Sequence, residues 1–395
     1  MKITRQYHIP LSNPHASGKE SDYVREAIDS GWITTLGPQV DRFENRLAFY
    51  LQTSGEVVAV NSGTAAIHLA LRRLGVGVDD EVICQDFTFV ASVNPVVYLG
   101  ATPVLVDSEK DTWNMSPALL KIAIEDRLRK TGQYPKAIIP VNLYGMPANL
   151  EAINRIAAKY GIPVLEDAAE SLGSYIYKGS EKHFCGTLGK YACLSFNGNK
   201  IITTSGGGAL VCPDFAEAEA VRFLATQARD EAPHYQHSQM GYNYRLSNVC
   251  AAVGLAQLEV LQSRINRRRA IHFLYKKALQ GLNLIFQDEP AGFFSNYWLT
   301  CVLFAGKVSR ERVRQHLEAA GVESRPLWKP MHLQPLYEKT PFYGDGTDKS
   351  LFDCGLCLPS GSAMTDEEVH FVCNAIKEAL GELYNNEKRK MKNEK

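Results

Sequence analysis

Three short stretches of this chain carry residue types and spacings that could do chemistry. The first, Asn61-Ser62-Gly63-Thr64-Ala65-Ala66, stands between an apolar run and an alanine-rich helical stretch. A small-residue turn at a helix N-terminus presents unpaired N–H groups and the positive dipole end, a site for a phosphate. The same residues also read as an ordinary N-cap. The second, Glu166-Asp167-Ala168-Ala169-Glu170, follows an apolar run ending at Leu165. Ligands in open α/β sheets bind at the carboxyl ends of strands. A carboxylate there could keep a pyridine nitrogen protonated and make the ring an electron sink, or a pair of acids could cap the next helix. The third, Ser195-Phe196-Asn197-Gly198-Asn199-Lys200, sets a lysine among residues that tolerate unusual backbone angles. A lysine amine titrates near ~10.4 in water. Burial and neighbouring cations can lower that value and free the amine to form a Schiff base, although most lysines are solvated.

Such residues need elements to position them. From Glu56 to Cys212, short apolar runs alternate with helix-like stretches. Glu56–Val60, Val82–Cys84, Pro103–Asp107, Ala137–Val141 and Pro163–Leu165 read as strands, and Ala209–Cys212 as a late strand introduced by three glycines. Ala65–Leu74, Ser116–Lys130 and Asn149–Tyr160 read as helices between them. The alternation predicts an α/β fold with a mostly parallel sheet covered on both faces. From Ser247 to about Gln280 the pattern is one long helix, or two joined near Arg264. Strand-like Tyr297–Phe304, helical Arg310–Ala320 and a terminal helix over Asp366–Tyr384 then suggest a smaller α+β domain. The expected organisation is a large domain over 1–262, a small one over 263–385 and a basic, disordered tail over 386–395. Phosphate turn, ring-nitrogen acid and glycine-flanked lysine thus fall on successive αβ units, all at strand ends. That is the site layout of a fold-type I enzyme using pyridoxal 5'-phosphate.

Composition excludes several other classes. The chain has 395 residues, 45% hydrophobic and 22% charged, and 43 basic residues balance 43 acidic ones. Zero net charge gives no global pull toward nucleic acid or an anionic membrane. Nine scattered Cys do not resemble a secreted disulfide framework, so reduced thiols and a cytoplasmic location are expected. Met1-Lys2-Ile3-Thr4-Arg5 leads into polar sequence, and no apolar run approaches the ~18 residues of a membrane span. Cys354-Gly355-Leu356-Cys357 has metal spacing, but nothing completes a tetrahedral site, and no metal is expected. Arg267-Arg268-Arg269 sits inside a helix and is expected at the surface or a subunit contact, and the basic run Glu387–Lys392 at a frayed end.

At Ser195–Gly208 (SFNGNKIITTSGGG), Thr226–Arg229 (TQAR), Gly241–Asn248 (GYNYRLSN), Arg325–His332 (RPLWKPMH) and Leu358–Gly361 (LPSG), the chain resembles the DegT/DnrJ/EryC1/StrS sugar-nucleotide aminotransferases. The likeness runs nearly the full length and is strongest to the UDP-N-acetylbacillosamine transaminase group. It implies a seven-stranded, mostly parallel sheet in the large domain, with Lys200 as the Schiff-base lysine and Asp167 as partner of the pyridine nitrogen. It further implies that Gly63, Thr64 and Ser195 hold the phosphate and that Phe89 stacks on the ring. Asn243 would reach the cofactor of a neighbouring subunit in a homodimer with shared sites. Glu170 stands where many relatives have Gln or His near the ring hydroxyl.

The reaction so implied moves the amino group of L-glutamate to the C4 keto group of a nucleotide-linked 4-keto-6-deoxy sugar. UDP-2-acetamido-2,6-dideoxy-4-keto-glucose leads, with GDP- or dTDP-linked sugars as alternatives, for surface-glycan or glycoprotein biosynthesis. Lys200 would also shuttle the proton. Arg245 and Arg325 are candidates for the glutamate carboxylate or the diphosphate, with structural ion pairs as the alternative. Trp328, Lys329 and His332 are candidates for lining the sugar-nucleotide pocket. The related sugar dehydratases replace the lysine with histidine, which Lys200 argues against. Regulators built on this fold carry an added DNA-binding module, for which the stretch before Ser17 leaves no room.

Overall fold

A computed structural model describes residues 7–393, with side chains through 381; the first five residues, read above for a signal segment, lie outside it. Seven strands form the central sheet: β1 (Glu56–Val60), β2 (Glu81–Gln85), β3 (Thr102–Val106), β4 (Ala137–Ile139), β5 (Leu165–Asp167), β6 (Tyr191–Ser195) and β7 (Gly208–Cys212). Their order is β1-β7-β6-β5-β4-β2-β3, with β5 joined to β4 through the parallel bridges Ile138–Val164 and Val141–Asp167. Only β7 runs antiparallel to its neighbours, and Phe342–Tyr343 adds a short parallel edge beside β3.

Alternation along the strands explains why the sheet is covered on both sides. Val58 and Val60 of β1, Leu210 of β7 and Cys193 of β6 enter one apolar cluster. Val57, Ala59, Ala209 and Leu194 enter the opposite one, as a period of two requires of a strand buried on both faces. The expected fifth strand shifts from Pro163–Leu165 to Leu165–Asp167, because the Asp167 N–H pairs with the Pro140 carbonyl and Asp167 stands opposite Cys193. Asp167 is therefore the last residue of a strand rather than the first of a loop.

A smaller antiparallel sheet follows: β8 (Ile285–Phe286), β9 (Thr300–Leu303), β10 (Arg325–Pro326) and β11 (Gly355–Leu358), ordered β8-β9-β11-β10. β9 is shorter than the expected Tyr297–Phe304 because Tyr297 adopts a left-handed φ of 46°, which no strand accommodates. One continuous helix, Asn248–Ala278, links the two halves. It sends Leu255, Leu261 and Ile265 into the core under the large sheet and Ile271 and Tyr275 into that of the small one. We propose that the division between the domains falls inside this helix, as a boundary at 262/263 places it.

Two expectations require correction. Arg268 is 1% exposed and not a surface residue. The terminal helix runs Asp366–Asn393, past the expected end at Tyr384 and through the basic run Glu387–Lys392; the last two residues of the expected tail, 394–395, lie outside the description. Among the described residues no helix is long and apolar enough to cross a membrane.

Candidate active site

The chain leaves β1 through Ser62, whose extended backbone and side chain cap the Gly63–Arg73 helix by accepting the Ala65 N–H at 3.1 Å. The N-cap reading therefore holds, and it leaves the Gly63 and Thr64 amides at the helix start without intrahelical acceptors. Gly63 permits a close approach, since a Cβ there would stand 3.1 Å from the Ser195 Cβ and 3.2 Å from the Cys193 sulfur, tighter than most side-chain contacts. At Gly208 a Cβ would come within 2.4 Å of the Ser62 carbonyl carbon. These close approaches gather Gly63, Thr64 and Ser195 around one end of a cavity of about 320 Å³.

Asp167 and Glu170 face the same cavity. Asp167 accepts the Ser92 hydroxyl at 2.7 Å and the Ala169 N–H at 3.0 Å, and Ser92 is bonded in turn to Thr88 at 2.9 Å. Burial raises the Asp167 carboxyl above the ordinary range, against the opposing pull of Ser92, the Ala169 amide and Lys200. Glu170, 4% exposed, accepts the Tyr144 N–H at 2.7 Å and lies 3.4 Å from the Lys200 amine. Burial raises it too, with Lys200 as the main opposing influence. Its backbone carbonyl is held by the Asn296 amide at 3.0 Å.

Lys200 opens into this space from a tight turn in which its N–H bonds to the Asn197 carbonyl at 2.9 Å. Its amine lies 4.3 Å from the centroid of the Trp298 ring, a cation–π arrangement. The groups facing the amine are the two carboxylates and this ring. Tyr144 backs the site, nearly parallel to Trp298 (15°) and Trp328 (12°), and its hydroxyl accepts the Trp328 backbone N–H at 2.7 Å. Phe89 forms part of the outer wall, half exposed, 5.2 Å from the Trp328 ring.

The remaining candidates divide. Trp328 borders the cavity and two adjoining ones; Arg325 lines one of these and Lys329 the other. Arg325 is largely exposed, with Glu323 at 2.8 Å. Arg245 does not reach the cavity: it is buried against Glu44 at 2.9 Å and the Ala59 carbonyl at 3.2 Å, which is the structural ion pair. His332 is also turned away, its Nδ1 2.6 Å from the fully buried Asp86 and its ring stacked on Phe342 at 4.0 Å. Asn243 is exposed outside the cavity, and its carbonyl accepts the Asn61 amide at 3.2 Å.

Ser92, Tyr144 and Trp298 escaped the sequence reading. Nothing local marks them, because each is defined by a partner 26 to 99 residues away; only Ser92, three residues after Phe89, sits near a stretch already singled out. Amide and hydroxyl donors at one end, a buried acid at the other and an amine between suit a phosphorylated pyridine aldehyde. We therefore find that the residues present fit pyridoxal phosphate.

Comparison with known proteins agrees with this chemistry. Residues 14–377 match the model of the DegT/DnrJ/EryC1/StrS aminotransferase family. EpsN of Bacillus subtilis (strain 168), provisionally named a pyridoxal phosphate-dependent aminotransferase, is 52% identical over 91% of this chain and 92% of its own length. GDP-perosamine synthase of Escherichia coli O157:H7 is 38% identical over 94% and 98%. The PLP form of Spr1654 from Streptococcus pneumoniae, provisionally named a sugar aminotransferase, superposes with a TM-score of 0.86 at 28% identity, covering 94% of this chain and 98% of that one. The chain belongs to the DegT/DnrJ/EryC1/StrS family and is a pyridoxal phosphate-dependent sugar aminotransferase.

Proposed function

We propose that this family member moves the amino group of L-glutamate to the C4 keto group of a nucleotide-linked 4-keto-6-deoxy sugar, UDP-2-acetamido-2,6-dideoxy-4-keto-glucose being the preferred acceptor. The observation that carries the site assignment is the meeting of Lys200, Asp167, Glu170 and the Gly63 turn on one cavity. Pyridoxal phosphate supplies the electron sink when bound. The Gly63 and Thr64 amides with Ser195 would hold its phosphate, Asp167 would keep its ring nitrogen protonated, and Phe89 would pack on its ring.

Lys200 is the covalent anchor and holds or moves the proton exchanged at the reacting carbon. Glu170, fixed through the Tyr144 N–H, aims its second oxygen at the lysine amine and can take up or return that proton. Arg325 and Lys329, each lining one of the adjoining cavities, meet the donor carboxylate or the acceptor's diphosphate, and Trp328 lines both spaces. Asn243, exposed outside its own cavity, reaches the site of a second copy, so the working unit is a homodimer.

A second reading is a GDP-linked acceptor, favoured by the name of the E. coli relative. Incubating the protein and glutamate with UDP-, GDP- and dTDP-linked 4-keto sugars and weighing the products decides between them. A gain of one amino group on the UDP sugar alone is the expected result; amination of the GDP sugar alone overturns the preference. A Lys200→Ala variant that still formed a borohydride-reducible lysine adduct and turned over would remove Lys200 from its role.

A further inference from the structure

Arg268 is a fully buried cation whose partners are neutral oxygens. It is 1% exposed, and its guanidinium donates to the Trp298 carbonyl, to the Ser360 carbonyl at 3.1 Å and to the Ser12 hydroxyl at 3.0 Å. No ion pair to it occurs among the described residues, and its Nε–H has no acceptor there. Burial, with Arg264 beside it, draws its ionisation down to about 9. Burying an unpaired charge is costly, so its placement calls for a reason beyond packing.

Its partners supply one. The Ser12 hydroxyl donates onward to the Asn199 carbonyl at 3.1 Å, and the Trp298 indole N–H donates to the same carbonyl at 2.7 Å. That carbonyl belongs to the peptide group joining Asn199 to Lys200, whose N–H is fixed by Asn197 at 2.9 Å. Both polar ends of one rigid plane are thereby pinned, which sets the direction in which the Lys200 side chain leaves the backbone. Trp298 meets Lys200 twice, through this carbonyl and through the ring over its amine. Ser12 comes from the N-terminal segment, Trp298 and Ser360 from the smaller half, and Arg268 from the long helix. One guanidinium ties them together.

We propose that Arg268 is a positioning residue for Lys200, acting through Ser12 and Trp298 on the Asn199–Lys200 peptide. The proposal rests on Lys200 being the cofactor lysine. Ser12→Ala is its cleanest test, because Ser12 borders the adjoining cavity and not the one that Lys200 enters. The apoprotein is titrated with pyridoxal phosphate, and capture is followed by the visible band and its circular dichroism. Melting temperature, kcat and KM for the amino donor are measured alongside. Ser12→Ala is expected to weaken and slow capture roughly tenfold, the worth of one hydrogen bond to a fixed group. kcat should fall comparably, while KM and melting temperature stay near wild type.

Arg268→Lys, which keeps the charge but loses the fork, should weaken capture and kcat alike while also lowering the melting temperature, and adding Ser12→Ala to it should cost no further capture. A lowered melting temperature with unchanged capture, circular dichroism and kcat overturns the proposal, and so does full additivity of the two substitutions. Arg268→Met is informative only when folded; the two milder variants decide the matter without it. Lys200→Ala distinguishes the underlying reading: if it captures the cofactor covalently as wild type does, the lysine assignment fails whatever Ser12→Ala shows.

Discussion

Two clusters of buried charge lie within this molecule and differ in one respect. Around Glu44, every requirement is met internally. One carboxylate oxygen takes Arg245 at 2.9 Å and the Ala59 N–H at 2.8 Å, and the other takes Arg222 at 2.8 Å. Around Lys200, two buried acids and an amine face a cavity, the amine only 3.4 Å from one acid, and burial holds both acids above their usual range. Burial of charge is common to both, so it does not mark function. Unspent bonding capacity beside open space does.

The comparison breaks if the two clusters respond alike to losing a member. Lys200→Ala gives the largest effect: turnover should fall by at least about 10³-fold, with near-ultraviolet circular dichroism and unfolding unchanged. Glu44→Ala should do the reverse. It strands the buried Arg245 guanidinium, whereas Arg222 keeps Glu219 at 2.8 Å, at about 3–5 kcal/mol of lost stability, read as a lowered midpoint in urea, while kcat per folded molecule is retained. Arg325→Ala should raise KM for one of the two substrates about tenfold with kcat kept, as expected for a largely exposed charge-assisted contact.

Glu170→Gln sharpens the contrast at the smallest scale. The folded apoprotein keeps the Asp167 and Glu170 protons to higher pH than the unfolded chain does. Its advantage from them is complete below the ordinary carboxyl range and is lost as pH rises through the raised values. Removing one of these acids should therefore stabilise the apoprotein by about 1 kcal/mol at pH 7–8, with the gain vanishing toward pH 4 in urea titrations. A stability gain at an acidic group is what an active site predicts and a satisfied ion pair does not.

Much of this was legible in the residues themselves. Gly63, Asp167 and Lys200 declare themselves by standing near strand ends, where the α/β topology puts ligands, and the apolar runs mark six of the seven strands of the large sheet but not Tyr191–Ser195. Arg245 misled because it lies inside a matched stretch, yet a guanidinium's partner is chosen in three dimensions, and Glu44 lies 201 residues away. Arg268 misled in the opposite direction, since three consecutive arginines look solvated although one must point inward on a helix. Tyr144 and Trp298 carry left-handed or neighbouring left-handed backbone (φ 57° at Tyr144, 46° at Tyr297) that no propensity anticipates.

The unbroken helix over Asn248–Ala278 has a mechanical corollary. A 31-residue rod of about 46 Å, embedded at one end in each apolar core, acts as an axle rather than a hinge. The halves cannot swing apart around it without tearing one core open, so admission and release of ligands fall to side chains and short loops, and heat should melt both halves in a single endotherm.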